Sequence, residues 1–502
     1  MSPPRTFHIQ TLGCRTNAAE SEQLARLLQQ RGLERVQDPS AADLRLVNTC
    51  SVTTAAAAQS RQTLRKAVSL PLLSISTPGE SGGGPGTYPG VAGADEGAGR
   101  PFRDAARPRV VAMGCWATSD PAEAAGLPGV DAVLTHHEPA TTRLQRLLDA
   151  WGVPPRRLAL PVWGEPASPP AVRPRQRAYL KVQDGCDAHC TYCIIPRLRP
   201  RLWSMGPDEA VREVRRCVHE GHREVVLTGI FLGATGQPTA LRRRQTCPGG
   251  TYLAELVRRI ARDVPELPRL RLSSIEPGDL TDDLLEALSN SPQVVPHFHL
   301  PLQSGSDRVL RRMNRQYRRT DFLKLVETLR RRFDRPALTT DILVGFPGET
   351  EGDFLDTLAV VDEAAFLHVH AFPFSPRPGT AAARWTRHFV SGDVVRERMQ
   401  RLRQAVAVHD LTFRRQFVGE VVEVVVEGDL SADGHPHGRC ERYFDVELPH
   451  AQGLTPGQCV SVRVVQAEQR QTVGRVLDGA GGRRLGRLSA PVPQQAVAAP
   501  SS

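Results

Sequence analysis

Three cysteines in the run GCDAHCTYC, Cys186, Cys190 and Cys193, carry the most specific chemical signal in this 502-residue chain. Their C-x3-C-x2-C spacing brings three thiolates into one short loop, where a metal centre ordinarily takes four ligands. An iron–sulfur cluster held this way keeps one iron open to bind a substrate or cofactor; a fourth cysteine would close it. Zinc is the competing reading, because it also favours C-x2-C pairs and His189 stands beside Cys190 as a fourth donor. The tight triplet suits a loop on a cluster better than a tetrahedral ion.

Three more cysteines, Cys14, Cys50 and Cys115, each follow the C-terminal end of a different predicted strand. Ligands of open parallel sheets bind outside those ends, so thiols far apart in sequence can converge there on a second cluster. The plain alternative is three small buried hydrophobes, the usual state of a free cysteine. The loop neighbours Gly13, Asn48-Thr49 and Gly114 favour the cluster. Cys217, Cys247, Cys440 and Cys459 lack ligand-like spacing and are expected to be plain thiols.

The elements that must position these residues follow from hydrophobic periodicity. Predicted strands at 6–12, 43–49, 109–114 and 131–135 alternate with helices at 18–31, 53–68, from Ser119-Asp120-Pro121, and 138–151. That alternation argues for a parallel α/β sheet. Residues 70–108, with TPGESGGGPG and GADEGAGRP, have almost no apolar periodicity and are expected to be a disordered insertion. A Pro/Arg-rich linker at 164–177 leads to six strand–helix units. Their strands lie at 178–185, 224–229, 269–274, 297–302, 337–346 and 366–372, and their helices at 207–220, 250–263, 280–290, 306–314, 320–332 and 351–363. Six units, without a seventh or eighth, predict a partial (β/α)6 barrel with its chemistry at the C-terminal mouth.

Cys186 falls at that mouth, as do Thr228, Gly229, Ser274, Glu276, Gln303, Ser304 and Gly345. Glycine at 229 would let a ligand approach the backbone; Ser274 and Glu276 suit a ribose or amino group, and Gln303 and Ser304 offer neutral donors. SGSD (304–307) and GETE (348–351) look equally like helix starts, so capping is the competing role. A basic helix at 393–416 with Arg396, Arg398, Arg401, Arg403, Arg414 and Arg415 precedes short strands at 419–428, 443–449, 458–468 and 472–477. These describe a small antiparallel β-barrel, suited either to nucleic acid or to capping the larger barrel.

The organisation is thus 4–152, 172–405 and 414–478, with a disordered tail at 480–502. The ten cysteines are not at the density of a secreted disulfide scaffold. The opening MSPPRTFHIQ lacks an apolar core, so a cytoplasmic protein without membrane association is expected. A net charge of +10, nearly all its cations arginine, suits a polyanionic partner such as RNA.

The motifs TLGCRTNAAESE, VNTCSVTTAAAAQSRQTLRKA, MGCWA, VQDGCDAHCTYCIIP, HLPLQSGSDRVLRRMNRQYRRTDF, TTDILVGFPGETEGDF and HAFPFSPRPGTAAA resemble the methylthiotransferase family of radical S-adenosylmethionine (SAM) enzymes over nearly the whole chain. The terminal segment is similar to the TRAM RNA-binding barrel. The resemblance implies a SAM-binding [4Fe-4S] cluster on Cys186, Cys190 and Cys193 and an auxiliary [4Fe-4S] cluster on Cys14, Cys50 and Cys115. It implies radical replacement of an adenine C–H by a methylthio group, on tRNA, by a monomer served by a reductase or flavodoxin-type electron donor and a sulfur donor. NTCSVT followed by SRQ, together with SPRPGTAAA, looks most like the branch that converts N6-threonylcarbamoyladenosine at tRNA position 37. Alternatives are the isopentenyladenosine branch and, less well matched at Ser304, the branch acting on a ribosomal-protein aspartate. One departure stands out: after CIIP the run is RLRPRLWS, with Pro200 where the family has glycine and Trp203 where it has arginine.

Overall fold

The computed structural model describes residues 3–72, 107–155, 176–241, 251–451 and 453–477. Cys247, the tail at 480–502, and the insertion and linker apart from their end residues lie outside the described residues. The chain divides into two compact units, Met1–Arg173 with Ile194–Arg201 and Ser375–Gly379, and Pro174–Cys193 with Leu202–Phe374 and Thr380–Ser502.

The first unit runs β1 (Thr6–Thr11), α1 (Arg15–Gln30), β2 (Glu34–Arg35), β3 (Leu44–Thr49), α2 (Thr54–Ser69), β4 (Arg109–Met113), α3 (Gly114–Ser119), α4 (Pro121–Gly126), β5 (Ala132–Leu134), α5 (Ala140–Ala150) and the short α6 (Ile195–Leu198). Its five strands pair all-parallel in the order β2-β1-β3-β4-β5. Parallel strands are covered on both faces, and β3 and β4 are accordingly buried along their whole length. Leu24, Leu28, Leu144 and Leu148 cover one face; Ala57, Leu64 and Trp116 cover the other. Arg45, buried within β3, donates to the carbonyls of Ala67 (2.8 Å) and Leu70 (2.5 Å) and so closes the C-terminus of α2. Two departures from the sequence expectation bear on the thiols. Helix α1 starts at Arg15, not at 18, which makes Cys14 its N-cap; and Cys115 sits in the first turn of α3, not in a loop. Six residues, GCWATS, are too few to show a 3.6-residue period.

The second unit opens with β6 (Arg177–Lys181) and β7 (Gln183–Asp184), which pairs antiparallel with β8 (Trp203–Ser204). The single strand expected at 178–185 is therefore broken at Val182. There follow α7 (Pro207–His219), β9 (Glu224–Thr228), α8 (Tyr252–Asp263), β10 (Arg269–Leu272), α9 (Asp282–Ser289), β11 (His297–His299), α10 (Asp307–Arg312), α11 (Arg319–Arg332), β12 (Ala337–Val344), α12 (Glu351–Ala364) and β13 (His368–Pro373). Strands β6, β9 and β10 form one parallel sheet and β11, β12 and β13 another, joined by parallel bridges Leu270↔Val294 and Ser274↔His299. This is the expected six-stranded partial barrel. Residues such as Leu180, Val225, Leu227, Leu272, Phe298 and Ile342 pack outward in one core with the helices.

By strand alternation the other face carries Arg177, Glu224, Arg271, His297, His299 and Asp341, where a closed barrel would stack branched apolar side chains. Glu224 holds this polar interior together. Its carboxylate lies 2.7 Å from Arg271, 3.4 Å from Arg177 and 3.7 Å from Arg269. Burial alone would raise the pKa of Glu224, but the arginines, Arg271 foremost, bring it down to about 2.

After α13 (Gly392–Arg415), strands β14 (Val421–Leu430), β15 (Pro436–Cys440), β16 (Asp445–Glu447), β17 (Cys459–Ala467) and β18 (Thr472–Val476) close a barrel in the order β14-β15-β16-β18-β17. β15, PHGRC, is not expected from the sequence, because it shows no apolar alternation. Its Gly438 lies where a Cβ would meet the Val425 carbonyl and stand 2.6 Å from Val424 Cγ1. The strand expected at 443–449 starts at Asp445. Tyr443 instead takes a left-handed turn (φ 74°) and lies under the guanidinium groups of Arg271 (4.6 Å), Arg439 (4.7 Å) and Arg177 (5.4 Å). The basic helix is less cationic outward than its composition suggests. Arg398 is buried on Glu349 (2.9 Å), Arg414 is buried on Asp410 (2.6 Å), and Arg401 and Arg396 pair with Glu351 and Asp393.

Glu224→Gln removes the charge that neutralises three arginines without changing the shape of the side chain. It is expected to lower the unfolding free energy at pH 7 by about 3–5 kcal/mol in urea titrations. The ordinary value is 4.5 and the folded one about 2, so this stabilisation is present above pH 4.5 and is lost as pH falls toward 2. The gap between the two proteins should close over that window.

Candidate active site

The loop carrying Cys186, Cys190 and Cys193 follows barrel strand β6 by way of the short β7, and it is pinned at several points. Gln183 donates from Nε2 to the Gly185 carbonyl (2.8 Å) and accepts from Phe231 N–H (2.8 Å). Asp187 accepts from Thr239 and from the Ala240 amide, both at 2.6 Å. Asn314 donates to the His189 carbonyl (2.9 Å), and Thr191 to that of Arg312 (2.8 Å). All three cysteines are free thiols, Cys186 buried and the other two half-buried. Burial pushes the Cys186 thiol up to about 12, against the lowering effect of the Ala188 amide. His189, the fourth ligand of the zinc reading, is exposed. Among the described residues no group of three or more His, Cys, Asp or Glu side chains closes on a point that could hold a single metal ion.

A small open cleft lies beside Cys190, lined by Ala188, Phe231, Glu276, Asn314, Arg315 and Tyr317 among others. Arg315 joins its parts. One nitrogen lies 3.3 Å from Cys190 Sγ, another contacts both oxygens of Glu276 at 2.5 Å, and the guanidinium stacks 5.0 Å over Tyr317. Sequence reasoning does not single out Arg315, although it stands within the NRQYRR run. Nothing in the spacing shows that α10 and the following turn return this residue to the cysteine loop.

Of the other mouth residues named from sequence, only Glu276 lines this cleft. Thr228 is buried and its carbonyl accepts from Val182. A Cβ on Gly229 would stand 2.9 Å from Gln183 Oε1, so the close approach this glycine permits is that of Gln183. Ser274 bridges to His299 as an extra strand residue. Gln303 takes a left-handed conformation (φ 65°) with its amide on the Asp341 carbonyl (2.8 Å). Ser304 is fully buried, its hydroxyl 3.4 Å from Thr357 and accepting from the Ser306 amide, which makes it a helix-entry group. Gly345 (φ 77°) donates its amide to Glu349 (2.8 Å), and a Cβ there would lie 2.5 Å from Val395.

In the first unit Cys14, Cys50 and Cys115 follow β1, β3 and β4, three adjacent parallel strands. The thiols lie within electrostatic reach of one another: Cys14 acts on Cys50, and both act on Cys115. Burial pushes Cys115 up to about 12 and raises Cys50. Gly13 (φ 92°) runs so close to Cys50 that a Cβ would stand 2.7 Å from its sulfur. Arginines face this site. Arg377 donates to the Ser51 carbonyl and lowers Cys50; Arg199 lowers Cys115. Buried Arg199 binds both oxygens of Glu20 (2.7 and 3.0 Å) and lies 2.8 Å from His136 Nε2, itself 3.9 Å from Cys115 Sγ. The unusual run after CIIP is therefore fixed through Arg199. Three free thiols with arginines beside them fit an anionic iron–sulfur cluster, whose binding would displace the thiol protons.

Comparison with known proteins agrees with this chemistry. Residues 180–361 match the Radical SAM superfamily, and residues 6–76 match a family described as Uncharacterized protein family UPF0004. The chain is 31% identical over 477 residues to the Threonylcarbamoyladenosine tRNA methylthiotransferase MtaB of Bacillus subtilis, spanning 92% of this chain and 93% of that one. It is 33% identical over 486 residues to the tRNA-2-methylthio-N(6)-dimethylallyladenosine synthase of Thermobifida fusca, spanning 94% and 89%. The radical S-adenosylmethionine methyltransferase TsrM of Kitasatospora setae, solved with cobalamin and a [4Fe-4S] cluster, shares the fold at a TM-score of 0.51, with 15% identity over 76% of this chain and 77% of that one. The superfamily's chemistry rests on a [4Fe-4S] cluster and SAM, for which the open triplet in the barrel supplies donors. With two sets of three thiols and relatives of this identity over nearly its full length, the chain belongs to the methylthiotransferase family of radical SAM enzymes.

Proposed function

We propose that this protein methylthiolates tRNA, converting N6-threonylcarbamoyladenosine at position 37 to its 2-methylthio derivative. The observation that carries the reaction class is the pair of thiol sets, one directly beyond the parallel strands β1, β3 and β4 and the other in the loop that follows β6 and β7. On this reading Cys186, Cys190 and Cys193 hold the SAM-binding [4Fe-4S] cluster, and Cys14, Cys50 and Cys115 hold an auxiliary one. When bound, the cofactors supply what no side chain can at neutral pH, namely radical activation of an adenine C–H and the sulfur and methyl that replace the hydrogen. The protein orients and shields. Arg315 holds Glu276 against Cys190, and Arg199 and Arg377 offset negative charge at the second thiol set. A reductase or flavodoxin-type electron donor and a sulfur donor complete the cycle.

The substrate rests on NTCSVT with SRQ, on SPRPGTAAA, and on the activity named for the Bacillus subtilis relative and for a second, 31% identical, from Chlamydia pneumoniae. Overall identity favours the second reading slightly: dimethylallyladenosine synthases reach 33–34%. Mass spectrometry of tRNA nucleosides from cells with and without the gene separates the two. Loss of 2-methylthio-N6-threonylcarbamoyladenosine is expected; loss of the dimethylallyl counterpart would move the protein to the other branch.

Two sets of variants test the roles assigned above. Cys190→Ala is expected to abolish 5′-deoxyadenosine formation from SAM under reducing, anaerobic conditions. Cys50→Ala should keep that activity, lose the thiomethylated nucleoside, and drop the iron content from about eight to about four per chain. Unchanged product from Cys50→Ala would overturn the auxiliary-cluster assignment.

The terminal barrel is the proposed tRNA-binding surface, with Arg415 and Arg475 exposed on α13 and β18. Replacing both by glutamate should weaken tRNA binding in filter or anisotropy assays. The slope of log K against log salt should become shallower by about one for each phosphate that is no longer neutralised.

A further inference from the structure

The inner face of β11, β12 and β13 carries a cluster that the chemistry above leaves unused. Two H-x-H strands, HFH at 297–299 and HVH at 368–370, flank β12, and alternation puts both histidines of each pair on one face. Register aligns them: Thr339 stands opposite His299 on one side and His368 on the other, and Asp341 stands opposite His370. His299 is buried, with Nε2 3.2 Å from Asp341 and Nδ1 3.0 Å from Thr339. The His299 and His370 rings are 5.6 Å apart, and those of His370 and His368 are 4.5 Å apart. His368 and His370 are exposed, on a sheet edge where the described residues place no seventh strand. The cluster adjoins the mouth, since the Asp341 carbonyl accepts from Gln303.

Such a wall is chemically specific. Imidazole N–H groups donate, and a carboxylate accepts. A threonylcarbamoyl substituent presents the complement: a carboxylate and a hydroxyl to receive N–H groups, and ureido N–H groups to donate. A dimethylallyl substituent is a hydrocarbon and would cover these polar atoms without pairing them. Hydrogen-bonding sites discriminate strongly against analogues that lack the partner group.

We propose that His299, Asp341, His368 and His370 form the specificity subsite for the polar N6 substituent of the target adenosine. Its carboxylate lies on His368 and His370, and its ureido group on Asp341. This rests on the threonylcarbamoyl reading and gives that reading a structural basis.

The test compares two tRNAs differing only at position 37, one with N6-threonylcarbamoyladenosine and one with plain adenosine, in equilibrium binding to the cluster-loaded protein. One or two hydrogen bonds to a charged group correspond to about ten- to a hundred-fold tighter binding of the modified tRNA. That ratio is expected to collapse toward one in His368→Leu/His370→Leu and to be partly restored in His368→Gln/His370→Gln, which keeps N–H donors. Both residues are exposed, and circular dichroism checks the fold. A ratio unchanged in the leucine variant overturns the subsite, as does a wild-type ratio of one in an enzyme that still methylthiolates the threonylcarbamoyl tRNA. Wild-type protein that methylthiolates only dimethylallyl tRNA overturns the substrate reading itself.

Discussion

Parallel strands all finish on the same side of their sheet, and the chemistry of this protein depends on that polarity. Residues separated by tens of positions become neighbours if each stands one step beyond a strand end. Cys14, Cys50 and Cys115 are brought together in this way by β1, β3 and β4. The loop bearing Cys186, Cys190 and Cys193 also lies beyond the C-terminal end of a parallel strand, β6, reached through the short β7. Burial on both faces keeps the strands of the first unit in register, because a slip would move their apolar side chains out of the two cores that cover them.

Charge is distributed less simply than composition suggests. The excess of arginine points to a polyanionic partner, yet many of these side chains serve the fold. Arg45 caps a helix from within a strand, Arg199 is buried on Glu20, and Arg398 and Arg414 are buried in pairs along α13. Arg177, Arg269 and Arg271 surround one glutamate inside the partial barrel. A partial barrel has an open edge, so its interior does not need to be a dry apolar core, and these arginines fill it with charge. Arg271 and Arg177 also grip Tyr443, which binds the small barrel to the larger one within the same unit. The outward basic surface is what remains after these internal pairs are made.

Periodicity locates nearly every long element, because long apolar patterns are written locally. It misses α3 and β15, one too short for a helical period and the other built from proline, histidine, glycine, arginine and cysteine with no alternation. At the site, the two sets of three thiols are legible from spacing or from strand ends. The mouth residues are less so. Gly229, Ser304 and Gly345 look like ligand contacts in the sequence, but their surroundings show a glycine approached by Gln183, a buried helix-entry hydroxyl and a glycine crowded by Val395. Arg315, Arg199 and His136 carry no readable signal, because each acquires its role from a partner far away in sequence.

The reaction family, the two thiol sets and the succession of strands and helices are all written in the linear chain, since short-range spacing and hydrophobic period encode them. Which polar residues meet is settled by the folded arrangement alone. Folding places Arg315 between Cys190 and Glu276, and it aligns two H-x-H strands with Asp341 across a shared face. Hydrogen bonds and ion pairs act over about 3 Å, and a one-residue change of register reverses the face a side chain occupies. Such contacts depend on how distant strands pair, which local spacing does not encode.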